Sequence, residues 1–359
     1  LRRAGRAVLV AMRAAALTAL RSGTAIPAHA LALDARRRLD ERRQRALTRY
    51  YLASGAGGLA VAVHTTQFEI RDPEHALLRP VLEVAAEEMK RRKPEAIRIA
   101  GICGKTDQAI AEAELAARLG YDAGLVSLAA FAGSSDAELV AHCRVVGDAL
   151  PLVGFYLQPA VGGRPLGRVF WRAFCEIESV VAIKVAPFNR YQTLDVLRAV
   201  AESGRAGEIA LYTGNDDHIV LDLVTPYEIP VGESQVTVCM VGGLLGHWSF
   251  WTRRAVELHS RIRRLREAGD SVPPELLVVA AQITDVNQAV FDADHAFAGC
   301  LPGIHEMLRQ SGLLAGRWCL DRKLDLSTGQ ADEIARVRAS YPHLADDDFV
   351  KEHLDEWMR

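Results

Sequence analysis

Two short apolar runs decide how this chain folds: LVGFY at Leu152–Tyr156 and VVAIK at Val180–Lys184. Each run is rich in β-branched or aromatic residues and has the length of a strand that is buried on both faces. Such strands belong to parallel sheets, in which functional side chains lie where the strands end. We therefore take the polar residue that closes each run, Tyr156 or Lys184, as a candidate site residue.

Six further runs have the same character. They are Ile26–Leu33, Gly58–His64, Ile97–Ile102, Ala123–Ser127, Ile209–Tyr212 and Gln235–Val241. Segments with apolar residues at three- and four-residue spacing lie between most of the runs and are predicted helices: Asp107–Leu119, Asp136–Ala149 and Tyr191–Ser203. Eight strands alternating with helices predict an α/β fold, a (β/α)8 TIM barrel. An open doubly wound sheet is the alternative, but no G-x-G-x-x-G loop follows the first run.

We divide the chain into an N-terminal helix (1–23), the barrel (24–265) and a C-terminal helical region (266–359). The Arg- and Ala-rich start resembles a targeting peptide only faintly, because Arg13 interrupts its short apolar stretch, and an amphipathic helix is the plainer interpretation. Trp251–Ala268 is a basic amphipathic helix by its pattern. We expect the charged end of the chain, 346–359, to be ordered by docking on the barrel or on a partner subunit, and we assign it no chemistry.

The composition favours a small-molecule ligand. The 43 Lys and Arg nearly balance the 45 Asp and Glu, for a formal net charge of -2, so neither nucleic acid nor a membrane is the expected partner. Six cysteines without a C-x-x-C pair suggest reduced thiols and a cytoplasmic location. No H-x-x-x-H or H-E-x-x-H spacing is present, so we predict neither a metal nor another cofactor, and a metal-dependent aldolase is a weak alternative.

Lys184 and Tyr156 together predict Schiff-base chemistry. A lysine amine that ends a strand inside an apolar barrel loses hydration, so its pKa should fall and the free amine can attack a carbonyl. A phenol nearby could move the protons. Because side chains alternate along a strand, we expect both residues to point into the barrel within a few ångströms of each other. Ala182 and Val180 would share the inner face with Lys184, and Gly154 and Leu152 would share it with Tyr156; the small residues among them leave room for a substrate.

Four motifs in this order resemble the dihydrodipicolinate synthase and N-acetylneuraminate lyase family over about residues 24–320. They are Thr65-Thr66, Tyr156-Leu157-Gln158-Pro159, Ile183-Lys184 and Gly214-Asn215-Asp216-Asp217. The resemblance implies a class I aldolase-type barrel that binds pyruvate or another 2-oxo acid as an imine on Lys184, and a homo-oligomer, either a dimer or a tetramer. It also implies that Tyr156 relays protons and that Thr65 and Thr66 bind the substrate carboxylate.

Two further residues are candidates for substrate binding. Asn215 follows a predicted strand, and Gly242 would let the backbone approach a ligand; both are equally suited to turns. The threonines could instead cap a helix, and Tyr156 could be a core phenol. His64 and His247 flank strand ends and are pocket residues or, more simply, structural histidines.

The chain departs from the family pattern in ways that bear on its substrate. Both glycines of the family's Gly-Thr-Thr-Gly-Glu loop are replaced, as the sequence here is HTTQFE. Val161 stands where dihydrodipicolinate synthases carry an arginine for the semialdehyde carboxylate, and Phe131 stands where they carry a tyrosine of the proton relay. These changes argue against dihydrodipicolinate synthase activity itself. The alternatives are a dehydratase or decarboxylase of a sugar-acid-derived 2-oxo acid, which would use the same lysine, and a non-catalytic relative that binds a metabolite.

Overall fold

Eight parallel strands form the barrel, and a computed structural model describes them within residues 11–359. They are β1 (Ala25–Pro27), β2 (Gly58–Val61), β3 (Ile97–Ile102), β4 (Ala123–Val126), β5 (Leu152–Leu157), β6 (Val180–Ala186), β7 (Ala210–Thr213) and β9 (Ser234–Leu245). Hydrogen bonds connect them in the order β1-β9-β7-β6-β5-β4-β3-β2. A parallel bridge between Ala28 and Ala60 joins β1 to β2, with the His29 N–H 2.8 Å from the Ala60 carbonyl oxygen. The predicted (β/α)8 barrel is confirmed.

One strand was missed by the sequence analysis. β8 (Pro226–Val231) pairs antiparallel with the first half of β9, and Gly232 makes the turn between them with a left-handed φ of 60°. Two prolines, Pro226 and Pro230, count against a strand because proline cannot donate to a sheet. Both are tolerated here because β8 is an edge strand that is largely exposed.

In the described part of the chain, nine α-helices precede or surround the strands. They are α1 (Ala14–Ser22), α2 (Glu41–Ala53), α3 (Leu78–Arg92), α4 (Thr106–Leu119), α5 (Asp136–Gly147), α6 (Arg168–Cys175), α7 (Arg190–Glu202), α8 (Ile219–Val224) and α9 (Thr252–Ala268). Local sequence sets several of their ends. A capping box of Ser135 and Glu138 starts α5, and Gly120, in the left-handed conformation, ends α4. The helices predicted from spacing are therefore confirmed, with shifts of one to a few residues at their ends.

The N-terminal helix closes one end of the barrel. Leu20 of α1 packs with the inward-facing side chains of the strands, and the Tyr212 hydroxyl donates to the Leu20 carbonyl over 2.9 Å. Arg13, just before α1, forms a salt bridge of 2.6 Å with buried Asp122. Residues 1–10 of the predicted N-terminal helix lie outside the described residues. Because α1 blocks this end, a ligand can reach the barrel interior only from the other end, where the strands terminate.

Four helices follow the barrel: α10 (Pro274–Phe291), α11 (Cys300–Gln310), α12 (Gln330–Ser340) and α13 (Asp347–Trp357). The last one docks on α2, where the Arg49 guanidinium donates to the Trp357 carbonyl over 2.5 Å and the Tyr50 and Trp357 rings lie 5.5 Å apart. The charged end of the chain thus packs on the barrel. Across residues 11–359, no helix is long and apolar enough to cross a membrane. The three-part division of the chain stays a prediction.

Candidate active site

A pocket opens at the ends of the barrel strands. Its polar lining comes from five side chains: His64, Thr65, Gln158, Lys184 and Asp216. The rest of the lining is almost entirely aliphatic or aromatic. Catalytic groups of (β/α)8 enzymes lie at this face of the barrel. The pocket is therefore the candidate active site.

Lys184 lies at the floor of this pocket and is only 8% exposed. It is on the inner face of β6, as predicted, together with Ala182 and Ala186. Its Nζ is 4.5 Å from the centre of the Phe155 ring. Burial lowers the pKa of the Lys184 amine below its usual range, and the negative charge of Asp216 partly opposes that shift. The amine is thus more available as a nucleophile at neutral pH than an exposed lysine would be.

Asp216 is the site residue that the sequence analysis undervalued. It follows β7, lines the pocket with Lys184, and accepts a hydrogen bond on Oδ1 from the His247 N–H over 3.0 Å. Burial raises the pKa of its carboxyl, while the His247 N–H and the Lys184 charge oppose the rise. A carboxyl with a raised pKa can both donate and accept protons near neutral pH, which suits it to acid-base work. Its place directly after a predicted strand was the available signal.

Gly214 makes room for the lysine. A Cβ at this position would lie 2.6 Å from Lys184 Cε and 2.8 Å from Ala186 Cβ, and real Cβ atoms essentially never approach other heavy atoms so closely. The end of β7 can therefore pass beside the lysine stem only with glycine at this position. Gly214 is a requirement of the site that sequence reasoning had treated only as part of a motif.

Tyr156 does not point into the pocket, so its predicted placement is wrong. Its hydroxyl accepts a hydrogen bond from the Leu166 N–H over 3.1 Å, and its ring packs on Trp171 of α6. Gly154 also faces α6, since a Cβ there would meet the Phe174 and Trp171 rings. The side chain of β5 that faces Lys184 is Phe155, which is its register partner.

An irregularity between the two strands explains the error. Leu152 pairs with Val180, but the next pair is Val153 with Ala182, so Val181 is passed over. An extra residue of this kind changes which face of the strand its neighbours occupy. Val180 accordingly packs in the outer core, whereas Ala182 faces inward. Aligning the ends of the two runs places Tyr156 opposite Lys184, whereas the residue opposite Lys184 in the structure is Phe155.

Thr65 and Thr66 lie in a short 3-10 turn after β2, and only Thr65 lines the pocket. Both hydroxyls donate to the His29 carbonyl, over 3.1 Å from Thr65 and 2.7 Å from Thr66. A hydroxyl has one proton, so in this arrangement neither can also donate to a carboxylate. Among the described residues no backbone group accepts from the Thr65 N–H, which leaves that donor available at the edge of the pocket.

His64, next to Thr65, adds a donor that the family loop lacks. Its ring lies in the pocket wall, 5.9 Å from the Phe68 ring centre and tilted by 49° to it, and has no hydrogen-bond partner among the described residues. Burial lowers the pKa of His64 to about 4, and the Lys184 charge adds to that shift. The imidazole is therefore neutral at pH 7 and carries one N–H that can donate into the pocket.

Asn215 and Gly242, two predicted substrate-binding residues, lie outside the pocket lining. Asn215 is fully buried; its Oδ1 accepts from the Phe188 N–H over 3.0 Å, and its Nδ2 donates to Asp222 over 2.9 Å. Gly242 allows β9 to pass close to Thr24, whose carbonyl oxygen would be 2.3 Å from an added Cβ. In this structure the contacts of both residues are with the protein itself.

The C-terminal helical region supplies part of the pocket wall. Phe291 ends α10, Phe297 lies in the following loop, and Cys300 and Ile304 belong to α11. These residues lie far from the barrel motifs in the sequence, and nothing in their local pattern distinguishes them from core positions. Only the packing of α10 and α11 over the open end of the barrel shows their role.

Two other groups of residues lie away from the pocket. Phe131 does not line the pocket and instead packs on His142 at 4.5 Å, with the Lys105 amine 4.3 Å from its ring centre. Within residues 11–359, the one group spaced to hold a metal ion is Asp72, Glu74 and His75, which is on the surface and shares no residue with the pocket.

Comparison with known proteins places the chain in a family. A model of the dihydrodipicolinate synthetase family matches residues 22–227, which is more than half of the chain. No curated protein matches the chain. Solved structures do match in fold: dihydrodipicolinate synthase from Oceanobacillus iheyensis has 17% sequence identity and a TM-score of 0.73, with coverage of 91% of this chain and 99% of that one.

Two other solved structures show the same architecture. N-acetylneuraminate lyase from Fusobacterium nucleatum has 16% identity and a TM-score of 0.68, with coverage of 89% of this chain and 99% of that one. A prophage protein of the dihydrodipicolinic acid synthase family from E. coli K12, solved in complex with pyruvate, has 18% identity and a TM-score of 0.71, with coverage of 89% and 98%. At these identities the structures establish the fold alone, and the family assignment rests on the family model. With strand order, pocket position and that match in agreement, the chain belongs to the dihydrodipicolinate synthetase family.

Proposed function

We propose that this protein is a Schiff-base-forming lyase that acts on pyruvate or a related 2-oxo acid through Lys184. Family membership supports an aldolase-type lyase in general. The observation that carries the finer proposal is the buried Lys184 amine, which ends on the pocket floor with a lowered pKa and a carboxyl group nearby. A lysine that is desolvated in this way is a typical imine-forming nucleophile.

The chemistry follows from those two groups. The free amine attacks the ketone carbon of the 2-oxo acid, and loss of water gives a protonated imine on Lys184. The imine withdraws the electron pair released when a bond to the neighbouring carbon breaks, or when a proton leaves that carbon. Asp216 is the proton carrier in this proposal, because its pKa is raised and it lines the same pocket. Tyr156 takes no direct part, because its hydroxyl lies on the far side of β5.

We assign the substrate carboxylate to the end of β2. The free Thr65 N–H and the neutral His64 ring both offer a donor there, and a carboxylate accepts from such groups. The threonine hydroxyls keep this turn in place through the His29 carbonyl. In this proposal His64 supplies a side-chain donor at a position where the family loop has glycine. The homo-oligomeric state and the cytoplasmic location stay predictions.

Borohydride trapping tests the proposal. The protein is incubated with pyruvate, reduced, and digested, and the modified peptide is located by mass spectrometry. We expect one adduct, on Lys184. Lys184→Arg keeps the positive charge and should abolish the adduct. The matched control Lys351→Arg, at an exposed position of α13, should leave it unchanged. Folded protein that forms no adduct, or an adduct that persists in Lys184→Arg, contradicts the proposal.

A further inference from the structure

Three phenylalanines contribute to the apolar lining of the pocket. Phe188 comes from the loop after β6, and Phe291 and Phe297 come from the C-terminal region. The Phe188 and Phe297 rings meet edge to face, with centroids 5.7 Å apart and an angle of 76° between planes. We call these three residues the aromatic clamp. It brings together two segments that are far apart in the sequence. The charged side chains of the pocket lining are Lys184 and Asp216.

The backbone of the clamp is held in conformations that side chains rarely adopt. Phe188 has a φ of +52° and Phe297 a φ of +68°, and Ala296 and Asp292 are also left-handed at +53° and +58°. Such residues are unfavourable unless the surrounding structure holds them, and they concentrate at functional sites. An ordinary loop that only covers a barrel would not need four of them within and beside one pocket wall.

Buried polar groups hold both halves of the clamp. The Phe188 N–H donates to Asn215, which Asp222 holds in turn. In the other half, the Asp292 carboxylate accepts from the Gly299 N–H over 2.8 Å and from the Ser327 hydroxyl over 2.5 Å. These contacts fix the two loops independently, so the rings are positioned before any ligand binds.

The charges of the pocket restrict what can lie against the clamp. Lys184 is the one cationic side chain among the described residues that line the pocket, and imine formation occupies its nitrogen. Val161, Leu157 and the clamp itself offer no polar side-chain atoms, and Gln158, between Leu157 and Val161 in the sequence, offers only an uncharged amide. A second carboxylate or a phosphate on the substrate would lose its hydration without gaining a cationic partner, which is unfavourable.

We propose that the site selects 2-oxo acids whose distal substituent is an uncharged aryl or alkyl group. This inference rests on the proposed function for the position of the 2-oxo acid, since Lys184 and the end of β2 hold the polar end. The clamp then holds the apolar end. Dicarboxylic and phosphorylated 2-oxo acids of the same length are excluded because the pocket offers no cationic partner for their second charge. Their size is not the reason.

The test uses two acids of nearly equal length, 2-oxohexanoate and 2-oxoglutarate, which differ in whether the far end is a methyl group or a carboxylate. Calorimetry on the unmodified protein gives both dissociation constants. We expect 2-oxohexanoate to bind at least tenfold more tightly than 2-oxoglutarate. The alkyl end of 2-oxohexanoate is stabilised by apolar contact, whereas the distal carboxylate of 2-oxoglutarate loses its hydration without a cationic partner. Equal affinities, tighter binding of 2-oxoglutarate, or no binding of either acid would overturn the inference.

A charge added to the pocket provides an independent test. Val161→Arg should tighten binding of 2-oxoglutarate about tenfold, as expected for a new ion pair in a partly buried site. The matched control Val169→Arg adds the same charge on α6, where the side chain is 76% exposed and outside the pocket, and should change nothing. An unchanged 2-oxoglutarate affinity in folded Val161→Arg would contradict the assigned position of the distal group.

The two proposals fail separately. Borohydride trapping with pyruvate reports on Lys184 alone, whereas calorimetry reports binding whether or not an imine forms. Trapping on Lys184 with a preference for 2-oxoglutarate would keep the lyase and overturn the aromatic clamp's role. No trapping with a clear preference for 2-oxohexanoate would overturn the lyase and keep an apolar binding site.

Discussion

Replacing Tyr156 by phenylalanine separates the observed geometry from the family resemblance. The Tyr156 hydroxyl contacts the Leu166 N–H and lies on the opposite face of β5 from Lys184. If the hydroxyl relayed protons to the substrate, its loss would slow imine formation by about 10²- to 10⁴-fold, as for other general acid-base groups. The structure predicts a change of less than about threefold, because no reacting atom loses a contact.

The same substitution should cost stability. It leaves the buried Leu166 N–H without an acceptor, and an unsatisfied buried donor costs about 1–3 kcal/mol. Urea unfolding measures this loss, and quenching with borohydride at timed intervals after pyruvate addition measures the rate of imine formation. We therefore expect a less stable protein with nearly unchanged chemistry.

The neighbouring residue provides the comparison. Phe155 faces Lys184, so Phe155→Ala should slow imine formation at least tenfold by removing the wall against which the amine rests, since displacements near 1 Å can cost about 10²-fold in rate. A loss of 10²-fold or more in Tyr156→Phe, with Phe155→Ala nearly normal, would show that the opposite face of β5 lines the site and would refute the reasoning.

Three further predictions concern the lysine and the barrel. Gly214→Ala should slow imine formation about 10- to 100-fold by displacing the Lys184 stem, whereas Gly207→Ala, where an added Cβ meets nothing within 4 Å, should not; timed trapping compares them. Asp216→Asn should lower the pH midpoint of imine formation, because the Asp216 carboxylate raises the pKa of Lys184. It should also lower the plateau rate about 10²-fold, and trapping rates measured over a pH series test both effects. Burial raises the pKa of Glu88, but its arginine partners outweigh burial and hold the pKa at about 2. Glu88→Gln leaves buried Arg49 without its ionic partner and should therefore lower the free energy of unfolding in urea by about 3–5 kcal/mol. In the unmodified protein that contribution is complete above the unfolded-state pKa of 4.5 and is lost as the pH falls towards about 2.

Local patterns in the sequence predicted the barrel and the position of Lys184 well. Strands buried on both faces and helices with one apolar side each leave a repeating signal, and a lysine at the end of such a strand is conspicuous. The pattern did not reveal that Val181 is passed over in the pairing of β5 with β6. Such an irregularity depends on how two strands meet, and the faces of Tyr156 and Phe155 depend on it.

The wall of the pocket was beyond prediction for a different reason. Phe297 and Ile304 come from a region that packs over the barrel through contacts between distant segments, and neither residue stands out locally. Asp216 was visible as a polar residue after a strand, but its importance depends on being buried beside Lys184. Burial and charge pairing are properties of the folded chain, so the importance of Asp216 became apparent only in three dimensions.

A crystal structure of the protein reduced with borohydride in the presence of pyruvate tests the central claim most directly. The account predicts continuous density from Lys184 Nζ to the former ketone carbon, with the carboxylate beside the Thr65 N–H and His64, and with Asp216 facing the new bond. Full occupancy of pyruvate without a covalent bond, or a bond to any other lysine, would contradict it.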